Sequence, residues 1–146
     1  MSKNKLVVGL DGSPSGEKAL AHAKAQAKLI GDCEIMICFV IEWSPFSFQT
    51  PEENEMRHKR REEEIATAKE RVIDPAVAAT QKDGLAATGL VRHGDAAEIL
   101  DDLAESNGAL QIIVGRTGAR GLKERIFGGV SGRLVATSRV PVTIIP

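Results

Sequence analysis

The sequence predicts an α/β fold: one domain, residues 1–146, built on a five-stranded parallel sheet with helices on both faces. Three observations lead there. Short apolar runs alternate with helical periodicities from one end of the chain to the other, the pattern of strands joined by helical crossovers. The run Glu34–Ile41 (E-I-M-I-C-F-V-I) is apolar almost throughout, as a strand covered on both faces must be. A basic, glycine-rich stretch, Gly115–Ser131, follows the apolar run Leu110–Val114 directly, as expected of a loop between a buried strand and a helix.

Lys5–Leu10 reads as the first strand, ending at Asp11. Ser13 caps the next helix, Pro14 takes its first position, and Gly31 closes it. Ala19, Leu20, Ala23, Ala27 and Ile30 recur at three- and four-residue spacing and form its inward stripe. Glu34–Ile41 is the second strand. A connection with exposed aromatics, W-S-P-F-S-F-Q-T-P at 43–51, leads to a capping box of Thr50 with Glu53 and a long charged helix. The charges of that helix stand close enough for i,i+4 pairing, which reads as a solvated face rather than a docking arm. Pro75 should kink or end it near Asp74, and Gly84 closes the segment. Ala86–Arg92 is a third strand, less apolar than the second and therefore placed at an edge. Asp95 and Glu98 cap the following helix, which ends at Asn107 and Gly108. Leu110–Val114 is the fourth strand, a short helix runs around Ser131–Ser138, and V-T-I-I between Pro141 and Pro146 is the fifth.

In sheets of this kind a ligand sits beyond the carboxyl ends of the strands, where the strand order reverses. If the first and fourth strands are neighbours there, L-D-G-S and G-R-T-G face one crevice. The second loop carries Arg116, Arg120, Lys123 and Arg125 against one acid, Glu124. Glycines allow close approach of backbone N–H groups, and a helix N-terminus adds partial positive charge. Phosphate is the ligand such a loop suits.

Composition narrows the alternatives. Aromatics make up 3% of the 146 residues, with no Tyr, which argues against a base-stacking platform for single strands. A formal net charge of −1 supplies no field to draw the chain to nucleic acid or an anionic membrane. The start, M-S-K-N-K, runs into a strand too short for a secretion signal, and no later run reaches membrane-spanning length. Cytoplasm is the default compartment. Cys33 and Cys38, five residues apart in one strand, point to opposite faces and read as small buried thiols. His22, His58 and His93 are scattered, without metal-ligand spacing, and His93 reads as a surface or turn residue.

Against this background, Gly115-x2-Gly118-x9-Gly128 resembles the G-x2-G-x9-G-[S/T] nucleotide motif of the universal stress protein family. V-G-L-D-G-S at 8–13 is similar to that family's opening strand, V-R-H-G-D-A-A-E-I-L to its third strand and turn, and R-V-P-V-T-I-I to its last strand. The likeness covers nearly the whole chain and is weakest over 43–82. It implies a Rossmann-like sandwich that often dimerises through its last strand, here 142–145. It further implies binding of ATP, or of AMP or ADP, with Mg2+ or Mn2+ as a possible companion. Carried over by position, the site comprises Leu10, Asp11, Val40, Gly115, Arg116, Gly118, Gly128, Gly129, Val130 and Ser131. Asp11 would lie near the ribose or a metal–phosphate group, and the backbone of Val40 would meet the adenine. Gly115, Arg116 and Gly118 would line ribose and phosphates. Gly128 through Ser131 would donate to the phosphate tail. Gly129 stands where the family carries Ser or Thr, so one hydroxyl donor is lost while the backbone N–H stays.

Bland readings stand beside these. Asp11 can cap the first turn, Arg116 can be a surface charge, and Ser131 can be a helix N-cap, which itself suits an anion. The resemblance implies a nucleotide-binding regulatory protein of the stress response. Slow ATP hydrolysis or phosphotransfer is one alternative, although no Walker A lysine is present. A ligand-free docking module using the charged helix is another.

Overall fold

The computed structural model describes residues 3–42, 51–116 and 129–146. The 43–50 connection with its Thr50 cap and the glycines Gly118 and Gly128 lie outside the described residues. The elements are β1 (Asn4–Leu10), α1 (Pro14–Ile30), β2 (Cys33–Glu42), α2 (Pro51–Ala68), a π-helical turn (Lys69–Ile73), α3 (Asp74–Lys82), β3 (Ala86–Gly94), α4 (Ala96–Asn107), β4 (Gln111–Gly115), α5 (Val130–Thr137) and β5 (Val142–Ile145). The five strands are all parallel and ordered β3-β2-β1-β4-β5. β1 and β4 are therefore neighbours, and the strand order reverses between them.

Alternation along the strands feeds two cores. Leu6, Val8, Leu10, Ile35, Ile37 and Ile113 pack with Ala19, Leu20, Ala23 and Ala27 of α1 and with Ile73. Val7, Met36, Cys38, Val40, Ile112 and Val114 pack on the opposite face with Leu100 and Ala104 of α4 and Leu134 of α5. That two-sided burial is why β2 is apolar at nearly every position. Cys33 belongs to the first core and Cys38 to the second, both as free thiols. Burial pushes the Cys38 thiol up to about 11, against the nearby charge of Arg92. Ile30 departs from its expected place: at the last turn of α1 it is 37% exposed, beyond the reach of the sheet.

Local rules act as the sequence suggests at most boundaries. Ser13 Oγ accepts from the Gly16 N–H at 3.3 Å, and Gly31 N donates to Ala27 O at 3.0 Å. Asp95 Oδ1 accepts from the Glu98 N–H at 2.9 Å, and Gly108 closes α4 in the left-handed region. Pro75 does not stop its helix. The chain widens into the π-helical turn, where Asp74 N donates to Lys69 O, five residues back. Pro75 then falls in the first turn of α3, where its missing N–H is harmless. The same turn buries Ile73 against Gly89, where any side chain would meet Ile73 Cγ2 and Val77 Cγ2. β3 lies at the edge, as expected, and runs two residues beyond Arg92.

One fastening was not foreseen. Asp101 of α4, 8% exposed, accepts from Ser138 Oγ at 3.1 Å, Arg139 N at 2.8 Å and Arg139 Nε at 2.8 Å. It holds the turn between α5 and β5 against the second core. No helix among the described residues is long and apolar enough to cross a membrane.

Candidate nucleotide site

Everything proposed for the site depends on what gathers at the carboxyl ends of β1, β2 and β4. β1 pairs with β2 up to Leu10↔Phe39 and with β4 up to Val8↔Ile113. Beyond those pairs the chain leaves the sheet through Asp11 and Gly12, the latter at φ +81°. Asp11 is half-buried, and its Oδ1 accepts from the Ser13 N–H at 2.9 Å. The bland reading of Asp11 thus holds in part: it shapes the turn that starts α1. Val40 lies one residue past the last β1–β2 pair, beside Arg92 of β3. Its backbone edge toward β1 consequently lies past the β1–β2 ladder.

Gly115 ends β4 and pairs with Ile145. Its glycine serves packing: a Cβ would stand 2.8 Å from both the carbonyl carbon and the Cβ of Ser15, with Ser15 Oγ closer still. The adjacent Gly16 has its own would-be Cβ 3.6 Å from Asp11 Oδ1. The first turn of α1 is therefore wedged between the Asp11 turn and the end of β4, and it brings those two strand ends together. Ser15 Oγ is buried there and has no hydrogen-bond partner among the described residues. Nothing in the sequence distinguished this serine from its neighbours. Arg116 is exposed, and its backbone N–H donates to Ile145 O at 2.7 Å.

On the far side of the glycine segment, Gly129 is the N-cap of α5, with φ −77° and ψ 168°. Ser131 is not the cap, as one sequence reading had it; it lies in the first helical turn with Val130, both half-buried. The shift has a physical cause in the chain's own bonds: Arg133 N donates to Gly129 O at 3.0 Å, which starts the helix two residues earlier. Backbone N–H groups of that first turn have no partners within the helix. Gly129 sits in ordinary extended backbone that any residue adopts, so no left-handed conformation explains the glycine.

Arg133 also reaches across to β2. Its Nη2 donates to Glu42 Oε1 and Oε2 at 3.0 and 3.1 Å, and Asp95 Oδ2 stands 3.8 Å away. Neither Glu42 nor Arg133 was singled out by the sequence, because 91 residues separate them.

His93 is placed differently from expectation. It is inside β3, its side chain 15% exposed, with Nε2 3.9 Å from Glu64 Oε2 of α2. Burial, together with Arg61 and Arg57, lowers its pKa, against the opposing pull of Glu64. Among the described residues no group of three or more His, Cys, Asp or Glu could hold a metal ion.

A parallel five-stranded sheet whose strand order reverses between β1 and β4 defines an α/β domain of the doubly wound class. The chain belongs to the universal stress protein family, whose profile it matches over residues 3–146. Universal stress protein YxiE of Bacillus subtilis is 28% identical over 150 residues, covering 97% of this chain and 98% of that one. Among solved structures, universal stress protein UspA from Lactobacillus plantarum superposes with a TM-score of 0.83 at 17% identity, covering 100% of this chain and 99% of the other. A universal stress protein from Archaeoglobus fulgidus in complex with dAMP gives 0.65 at 21% identity, with 100% of both chains covered. At such identities the two structures speak for the fold.

Proposed function

We propose that this chain binds ATP in the crevice between the Asp11 turn and the Gly115–Ser131 segment, as a regulatory protein of the stress response without dedicated catalysis. One observation carries the reading: α1's first turn joins Asp11 to Gly115 where the strand order reverses. Support comes from the dAMP held by the Archaeoglobus fulgidus protein of like fold and from the Gly115-x2-Gly118-x9-Gly128 spacing. In this reading Leu10 and Asp11 border the ribose or a phosphate-bound Mg2+ or Mn2+, and Val40 offers its backbone to adenine. Gly115, Arg116 and Gly118 line the middle of the nucleotide. Gly128, Gly129, Val130 and Ser131 hold the phosphate tail at the start of α5, where helix N–H groups favour an anion.

Calorimetric titration with ATP, ADP and AMP, with and without Mg2+, tests this. Binding to at least one of them is expected, with ATP tightest. No binding to any would end the reading. Gly129→Ser belongs in the same experiment. Serine fits the extended backbone at 129, and its hydroxyl adds a donor worth about 1.5–3 kcal/mol when the acceptor is charged. ATP should bind roughly tenfold tighter or better; unchanged affinity would place the phosphate tail elsewhere.

We also propose a homodimer through β5. The strand pairs with β4 on one side, and its four residues, Val142–Ile145, are all half-exposed. An apolar edge is a pairing liability unless a strand covers it, and a second copy about a two-fold axis covers both edges at once. Light scattering at micromolar concentration should give twice the chain mass, and Ile144→Lys should shift it toward monomer. A monomeric parent would refute the assembly.

A further inference from the structure

We infer that Glu42 and Arg133 form a latch that aims the first turn of α5 at the phosphate tail, which makes them positioning residues for the nucleotide. The inference rests on the nucleotide-binding reading above. α5 is eight residues long, and of these Leu134 alone is fully buried. Half-buried Val130 also packs on the second core, so the helix is seated by two apolar contacts and its polar side is left to other ties. Arg133, the neighbour of Leu134, adds a polar tie to those contacts. Its backbone N–H holds the Gly129 carbonyl, and its guanidinium holds both oxygens of Glu42.

Glu42 is itself well placed to be held. It ends β2, two residues beyond Val40, and its Oε2 accepts from Ala96 N at 3.4 Å at the positive end of α4. One carboxylate therefore gathers the end of β2, the start of α4 and the body of α5. The latch ties the strand that would meet the adenine to the helix that would meet the last phosphates. Asp95, 3.8 Å from Arg133, adds a second acid to the same cation.

The pair is half-exposed, with side chains 34% and 37% accessible, so its effect on global stability is small. Its effect on binding should be selective. When the latch is broken, the competent orientation of α5 is populated less often, and apparent affinity falls by that fraction. ATP, which reaches α5, should suffer; AMP, which stops short of it, should not.

The test uses the full chain with Arg133→Gln, Glu42→Gln and the double variant, read by calorimetry with ATP and with AMP and by thermal melting. Each single change should weaken ATP about three- to fivefold and AMP by less than about twofold. The double variant should be no worse than the singles, since residues acting as one unit are not additive. Glu42→Gln carries the decisive sign. Removing a negative charge near a polyphosphate would tighten ATP by simple field effect, whereas loss of the latch weakens it. Tighter or unchanged ATP binding in Glu42→Gln overturns the latch, as does equal weakening of ATP and AMP. A parent protein that binds neither nucleotide removes the site and the latch together, and that result is distinct from a binding parent with indifferent variants.

Discussion

Replacing Gly115 with alanine is expected to cost the folded state about 2–4 kcal/mol, as overpacking against fixed backbone does. The new methyl would stand 2.8 Å from the carbonyl carbon of Ser15, a backbone atom that moves only if the first turn of α1 moves. That turn is held by Ser13 Oγ and by the Asp11 side chain, so the strain passes straight into the Asp11 turn. Urea unfolding should show the loss. Adding Ser15→Gly should recover part of it, by removing the crowded Cβ and Oγ while the carbonyl carbon stays. Parent-like stability in Gly115→Ala would mean that the approach of α1 to β4 is looser than its geometry. Whatever folded protein remains should bind nucleotide more weakly, because Asp11 and the end of β4 no longer share one wedge. The glycine at the end of β4 thus has a packing role of its own.

Where local chemistry fixes an element, the sequence could be read directly. Ser13, Gly31, Asp95 and Gly108 mark helix ends by their own backbone needs, and they stand where they were expected. The alternation of the two cores is written in β2, whereas the adjacency of β1 and β4 entered the sequence reading only as a condition, which the strand order meets. Features that depend on tertiary partners were illegible. Pro75 punctuates the sequence, yet the π-helical turn that absorbs it needs Gly89 of a distant strand to receive Ile73. The packing role of Gly115 was illegible because its neighbour Ser15 is 100 positions away along the chain. Glu42 and Arg133 have no local signature at all. Asp101 did leave a trace: it lies on the same buried stripe of α4 as Ala97, Leu100 and Ala104. A lone acid on an apolar stripe asks for a partner.

That acid carries the second large effect. Burial by itself would raise the Asp101 pKa, but hydrogen bonds from Arg139 N, the Arg139 guanidinium and Ser138 outweigh it and hold the carboxyl below its ordinary value of 3.8. A depressed folded-state pKa contributes stability that is complete above the unfolded value and is lost as pH falls through the folded one. Asp101→Asn should therefore cost most near neutral pH, about 2–3 kcal/mol, from weakened charge-assisted bonds and a donor placed against donors. For a chain of this size that corresponds to a fall in Tm of roughly 5–10 °C. The gap between parent and variant should narrow as pH drops below about 4, because protonated aspartate resembles asparagine. Urea unfolding of both proteins at neutral pH and at about pH 3 reads the difference. A gap that stays constant across that range would show that the carboxylate's charge contributes nothing, and that Asp101 acts by shape alone. The turn it holds, Ser138–Val140, leads directly into β5. Loosening that turn at low pH should also weaken the β5 edge, so the proposed dimer is expected to dissociate over the same acid window in which the parent loses its advantage over Asp101→Asn.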